Sequence, residues 1–595
     1  MFTYSRSRTN GWVGKLAYVN NGTGTGKAAI AGSAAILIAG GRNQAIAEAG
    51  YGRYDVESNT PDPYVISRQW QAINTTTWKA SDTITVKNIF SYGESREAYS
   101  SNLSGDTGVI TGLGTFPFVI TYPGKNGAQG NERTITEELQ LQGRTSDGAL
   151  TWQVGGYLEH SNPIGQQEQF TQIFTSPCID VYAFKCAPLV AFGNLFGQIG
   201  DARNNYYYKN YGLYAQATYK FTEQLSVTAG IRNTWDWEKE TANNVKVTTS
   251  TAGPTAYGTA TSPYSCSRAG ASQLSPPPAG SAALLTNGAC TRTFILPMKG
   301  TPTWLIDLDY KPTPDILVYV KYARGYRAGG INEANVGGEV WKPEKIDDYE
   351  VGLKTTFGGA VRGNLNIAGF WNEFKNQQYT VSIPACTAVT PGCTSPAPTG
   401  INGVVNLDKS RVRGFEIEGS IYPVEPLRID FGYSYLDAKV LKSGASSCDA
   451  TRYLCASATF PVPGTRLLFA PKNRFTVSGT YTLPFDEEKI GKVSIGATFV
   501  HTDKQFNSHS NDDFFAGHAI PYNASISPAT NLLNLNLNWE KVGGSALDLG
   551  IFATNVTNKY YYVAATSSIS TIGSEYIMLG EPRMYGWRAK IHFGQ

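Results

Sequence analysis

Tyr585-Gly586-Trp587-Arg588-Ala589-Lys590-Ile591-His592-Phe593 lies at the end of the sequence and alternates without a break. Tyr585, Trp587, Ala589, Ile591 and Phe593 fall on one face, and Gly586, Arg588, Lys590 and His592 on the other. Period two is the signature of a β-strand, whose successive side chains point to opposite sides. One face suits lipid and the other carries basic-type side chains. The same alternation recurs upstream. Val493, Ile495, Ala497 and Phe499 oppose Ser494, Gly496 and Thr498. Leu533, Leu535, Leu537 and Trp539 oppose Asn534, Asn536 and Asn538. Many such segments exceed ten residues, longer than the five or six usual in a soluble sandwich.

The connections between these segments alternate in length. Short turns are predicted at Ser81-Asp82, Asp147-Gly148, Glu223-Gln224, Lys311–Asp315, Phe357–Val361, Pro423–Pro426, Phe485–Lys489 and Lys541–Ser545. Long connections lie at 10–63, 100–131, 161–205, 239–295, 328–341, 383–401, 441–461, 505–523 and 563–577. Eight turns and nine loops give 18 strands. Compact soluble domains rarely carry so many long loops. A transmembrane barrel has this asymmetry, with tight turns on one rim and long loops on the other. The expected fold is therefore all-β, a transmembrane antiparallel up-and-down β-barrel occupying residues 1–595 as one unit.

Composition agrees. Of 595 residues only 16% are charged and 12% are aromatic, led by 35 Tyr. The longest apolar run, Ala28 to Gly40, is too short for a helical span, which takes about 20 residues. With 50 basic and 47 acidic residues there is no field for binding a polyanion, so nucleic acid is not an expected partner. Met1 to Ser5 already alternates, with no basic region, apolar core or cleavage site before it.

All eight cysteines fall in predicted long loops, two in each of four. Neighbour pairing gives Cys178–Cys186, Cys266–Cys290, Cys386–Cys393 and Cys448–Cys455. These would be staples formed in an oxidising compartment. No C-x-x-C spacing suggests zinc. Gly22 to Lys27 superficially resembles a phosphate loop, but Asn21 and Ala28 break the pattern. No G-x-S-x-G or H-E-x-x-H occurs, and neither an enzyme activity nor a resident cofactor is expected. His501, Asp503, His509, Asp512, Asp513 and His518 cluster in one predicted loop, a donor set able to contact a metal or metal chelate. Tyr206–Tyr208 and Tyr560–Tyr562 are expected in the aromatic girdle at the membrane interface.

Several segments, in order, resemble the barrel of TonB-dependent outer-membrane receptors. They are Leu317 to Asn332 (LVYVKYARGYRAGGIN), Lys342-Pro343-Glu344 with Asp348 to Lys354, and Asn366 to Asn372. Arg413 to Gly419, Leu549 to Tyr560 and Pro582 to Gly586 follow. The resemblance implies a Gram-negative outer-membrane location and 22 strands. It also implies a plug and TonB box, here with the first four strands expected to precede residue 1. It further implies uptake of a scarce large ligand, most often a ferric siderophore, energised by TonB-ExbB-ExbD, by a monomer. Haem, cobalamin, oligosaccharide and passive diffusion are the alternatives. Ligand contacts are expected at the outer strand ends: Arg324, Tyr326, Arg327 and Trp341, with His501, His509 and His518. Tyr322, Arg324 and Tyr326 share one face. If that face meets the interface, Arg327 points into the lumen beside Ala323 and Gly325, placed to grip a carboxylate or catecholate oxygen.

Overall fold

The computed structural model describes residues 1–10, 15–19, 62–102, 127–173, 198–248, 290–332, 340–383, 401–445, 461–509, 524–568 and 574–593, with shorter pieces of the connections. Among the described residues, eighteen long strands form the wall. The first six are β1 (Phe2–Asn10), β2 (Tyr64–Lys79), β3 (Ile84–Asn102), β4 (Gly130–Arg144), β5 (Leu150–Pro163) and β6 (Gln198–Lys220). Next come β7 (Leu225–Thr248), β8 (Thr291–Thr313), β9 (Ile316–Arg327), β10 (Glu344–Phe357), β11 (Arg362–Ile383) and β12 (Ile401–Val424). The last are β13 (Leu427–Ala445), β14 (Asn473–Thr482), β15 (Lys492–Thr502), β16 (Thr530–Glu540), β17 (Leu547–Thr554) and β18 (Met584–Ile591).

Within the wall each strand pairs antiparallel with its sequence neighbours, from β1 with β2 through to β17 with β18. This is the expected up-and-down barrel, with tight turns at the inner rim and long loops at the outer one. Three short loop strands, Val119–Pro123, Glu168–Ile173 and Tyr264–Cys266, extend the sheet to 21 strands. Among the described residues, β1 and β18 are each paired on one side only.

Local chemistry forms the inner turns. Between β4 and β5, the Asp147 carboxylate accepts from Thr145 Oγ1 at 2.5 Å and from the Ala149 amide at 3.0 Å. Gly148 then adopts φ +71°, a conformation open to glycine. Between β6 and β7, Thr222 Oγ1 accepts from the amides of Gln224 and Leu225 at 3.1 and 3.0 Å.

Register gives the wall two faces. Outward lie Leu213, Ile231, Val320 and Val351, between 54 and 61% exposed, an apolar surface that suits lipid. Inward, Tyr214 donates to Glu138 at 2.6 Å and Lys321 pairs with Glu350 at 2.9 Å. Lipid cannot solvate such groups, and an aqueous lumen can.

Outside the barrel, strands Lys15–Val19, Tyr562–Ser568 and Ser574–Leu579 form a small sheet from two outer loops. Ala524, Tyr562 and Ile577 are its buried centre. Tyr562 is therefore loop core, not interface girdle: the chain leaves β17 at Thr554 and turns up into the loops before reaching it.

Candidate functional site

The inner wall is a continuous polar surface. Tyr319 donates to Glu350 at 2.5 Å, and Lys321 bridges Glu350 and Asp348, the latter at 3.2 Å. Tyr157 donates to Glu159 at 2.7 Å, and the Arg232 guanidinium lies 5.5 and 5.8 Å from the rings of Tyr157 and Tyr214. A recess of about 410 Å³ between β9 and β14 is lined by Tyr319, Glu350, Lys354, Glu416, Glu418 and Arg474, among others. Carboxylates, cations and phenols side by side can hold a polar ligand or an inserted polar segment.

Arg324 stands opposite Asp347 across β9 and β10. Its guanidinium makes two bonds to that carboxylate, 2.6 and 2.7 Å long, and lies 4.6 Å from the Trp304 ring centre. It shares the outward face with Val320. The Tyr326 hydroxyl donates to Asp236, which also accepts from Asn210. That bond crosses from β9 to β7, because β8 and β9 part beyond the Trp304–Arg324 pair. Arg327 is exposed, opposite Glu344, and holds no ion pair among the described residues. It shares the inward parity of Lys321. The Trp341 ring lies on Gly330, where a Cβ would come within 2.3 Å of it.

The short outer loop after β9 is clipped in place by side chains that pattern reading missed. Asn406, fully buried, accepts from the Lys342 amide at 2.7 Å and donates to the carbonyls of Lys342 and Asn376 at 2.9 and 2.8 Å. Asn332 exchanges bonds with the backbone of Val404 at 2.7 and 2.9 Å. Gln378 donates to the Ala328 carbonyl at 2.6 Å. A lone polar residue in a strand gives no warning of such a role.

His501 shares the outward face of β15 with Phe499 and stacks on Phe475 at 5.1 Å. Its ring nitrogens meet Asn531 at 2.6 Å and Asp503 at 3.2 Å. Burial pushes the Asp503 carboxyl up, but hydrogen bonds from Asn473 and His501 outweigh it and hold the group below its usual range. His509 donates from Nε2 to the Arg466 carbonyl at 2.8 Å. Among the described residues no three ligand-type side chains converge on a metal position. His518, Asp512 and Asp513 lie outside the described residues.

Cys178 and Cys186 are direct partners across a loop strand pair, and Cys290 is disulfide-bonded. Cys266 pairs in register with Val245. Cys386, Cys393, Cys448 and Cys455 lie outside the described residues.

An even-stranded up-and-down wall, apolar outside and polar inside with its long loops on one rim, is an outer-membrane β-barrel. The family model described as TonB dependent receptor-like, beta-barrel, matches residues 2–558, and the chain belongs to that family. The family is one of receptor barrels, not enzymes. A probable TonB-dependent siderophore receptor, PiuA of Acinetobacter baumannii, is 23% identical over 274 residues, 45% of this chain and 31% of the relative. The match thus spans under a third of that relative's length. The ferric yersiniabactin uptake receptor FyuA of Yersinia pestis superposes with TM-score 0.59 at 12% identity, covering 91% of this chain and 63% of that one. The closed form of the ferric-catecholate import receptor Fiu of E. coli K12 gives TM-score 0.56 at 14% identity, covering 100% and 71%.

Proposed function

We propose that this chain is the barrel of an importer that takes up a ferric siderophore, energised through TonB, ExbB and ExbD. The observation that carries the reading is the family match over residues 2–558. The siderophore assignment leans on the printed name of the A. baumannii relative. The polar inner wall supports it, since a hydrated chelate needs a wet path with fixed hydrogen-bonding partners. A barrel of this width leaves a lumen too wide to be selective alone, so control falls to a plug.

The unpaired edges bear on how the barrel closes. Lipid does not tolerate an open sheet edge, because each unpaired amide and carbonyl there costs several kcal/mol. In this reading β1 and β18 gain partners in the full-length receptor from four preceding strands, making 22, and the plug and TonB box precede those. The receptor acts as a monomer.

The test is uptake of labelled iron by the full-length receptor in a host lacking its own siderophore receptors. A panel of ferric catecholates, hydroxamates and mixed chelates is supplied with and without TonB. Uptake of one class only when TonB is present is the expected result. Equal uptake in a TonB-deficient host would mean a passive pore, and energised uptake of haem, cobalamin or a sugar alone would replace the siderophore.

A further inference from the structure

The outward face of β11–β14, near the outer ends of the strands, carries a concentrated surplus of positive charge. Arg413 pairs across the sheet with Trp371 on β11 and Asp437 on β13. It shares its face with Phe415, one of the exposed outward aromatics. About ten residues of strand, the length that crosses a bilayer, separate it from the inner end of β12 at Val424. The patch therefore sits at headgroup level, on the side of the wall away from the lumen.

Aromatic rings form its floor. The guanidiniums of Arg411 and Arg413 lie 4.9 and 5.2 Å from the Trp371 ring centre, and the Lys472 ammonium lies 5.5 Å from that of Tyr435. A single carboxylate, Asp437, takes Arg411 at 2.9 Å, Arg413 at 3.0 Å and Lys439 at 2.9 Å. Arg413, Lys439, Arg466 and Lys472 line one recess of about 200 Å³ with it. Arg466 holds no ion pair among the described residues, and its backbone bridges that of Lys439. Four cations and one carboxylate line the recess, and the nearby Glu373, which accepts from Trp371, is matched by Lys409. The recess therefore keeps a positive surplus where water thins out, and such charge draws an anion.

We propose that this recess binds the phosphate groups of an anionic lipid of the outer leaflet. Lys439, Arg466 and Lys472 contact phosphate oxygens, and Asp437 spaces the guanidiniums above Trp371. Arginine forks and lysine ammoniums are the usual partners of phosphate, and girdle rings beneath them set the depth of the headgroup. A transported ligand would not reach this face. The proposal depends on the barrel's seat in the membrane and is independent of what the lumen carries.

The test uses the full chain folded in zwitterionic micelles, with fluorescent diphosphoryl lipid A as probe and labelled phosphatidylcholine as control. The expected result is retention of lipid A that falls with added salt. The Lys439→Gln/Lys472→Gln variant should lose about tenfold or more of that retention, with folding checked by heat-modifiable gel migration. If that variant does not fold, Arg466→Gln, which breaks no ion pair, is read in its place with the same expectation. Salt-independent retention, unchanged retention in the folded variant, or equal retention of phosphatidylcholine would overturn the proposal. Displacement by millimolar inorganic phosphate would also overturn it, by making free phosphate the ligand.

Discussion

Arg324 and Asp347 are locked together by two parallel bonds of 2.6 and 2.7 Å on the outward face of the barrel wall. The Asp347 side chain is only 8% exposed, and Tyr322 adds a third bond to it at 3.1 Å. An arginine so occupied serves the wall. Arg324→Ala should lower stability by about 2 kcal/mol, the loss of hydrogen bonds to a charged group left nearly buried. Arg324→Lys should cost less but still lower it, since an ammonium cannot make the paired fork. The urea midpoint of the folded barrel measures both. Unchanged midpoints would mean that Asp347 is satisfied without its arginine.

The Tyr319 ring lies against Gly352 of the next strand, where a Cβ would come within 2.3 Å of it. Glycine is needed there for close approach, not for its backbone angle. Gly352→Ala should push Tyr319 away, weaken its bond to Glu350, and destabilise the barrel by about 1–3 kcal/mol. Combining it with Tyr319→Ala should cost less than the sum of the two changes. An additive double-mutant cycle in urea would refute the contact.

The fold was legible because its signals are local and repeated. Each of the eight predicted turns falls at an inner connection, and the 18 wall strands follow the alternation. The site was less legible because partners depend on register across loops. Arg324 lies in a segment that invited notice, whereas Asp347 falls between the segments that did, and only the β9–β10 register puts the two opposite one another. Tyr326 shares strand parity with Arg324, but its hydroxyl reaches Asp236 where β8 peels away. The Asn406 clip and the descent of Tyr562 into loop core depend on tertiary packing, and composition carries no trace of either.

Glu575, in the outer-loop sheet, is fully buried and accepts from the Ala524 amide at 3.0 Å. Burial pushes its carboxyl up to about 7, with the Ala524 bond opposing. The folded form thus holds its proton to higher pH than the unfolded chain does. The group's contribution is at its most favourable below about 4.5 and declines as pH rises to about 7, with little change above. Backbone amides of Ser574–Leu579 should exchange hydrogen more slowly at pH 5 than at pH 8, after correction for intrinsic rates. Glu575→Gln should flatten the difference, and a dependence that survives the substitution would assign it to another group.

The outer loops give a covalent prediction. Cys178 and Cys186 are register partners in a loop strand pair, so peptide mapping without reduction should recover them as a pair. The same map should yield Cys266–Cys290, Cys386–Cys393 and Cys448–Cys455. Cys266 bonded to Cys448 would contradict the assignment of these residues to separate loops. Reduction should speed proteolysis in the loops and leave the wall strands protected, since the ladder bonds between strands do not depend on the staples.

Arg327 and Arg324 stand three residues apart, and on the proposed function they should separate binding from stability. Arg327 is exposed at the outer end of β9, has the inward parity of Lys321, and holds no ion pair among the described residues. Ala323 and Gly325 share that parity, with the Ile346 side chain lying against Gly325. A guanidinium so placed can meet the carboxylate or catecholate oxygens of a descending chelate with paired hydrogen bonds. If the proposed function holds, Arg327→Ala in the receptor should weaken binding of its ferric chelate by about tenfold, the worth of one charge-assisted contact, and leave the urea midpoint unchanged. Arg324→Ala should do the reverse, lowering the midpoint while sparing affinity. Titration of the purified receptor by intrinsic fluorescence measures both. Unchanged affinity in Arg327→Ala would return that arginine to the solvated rim.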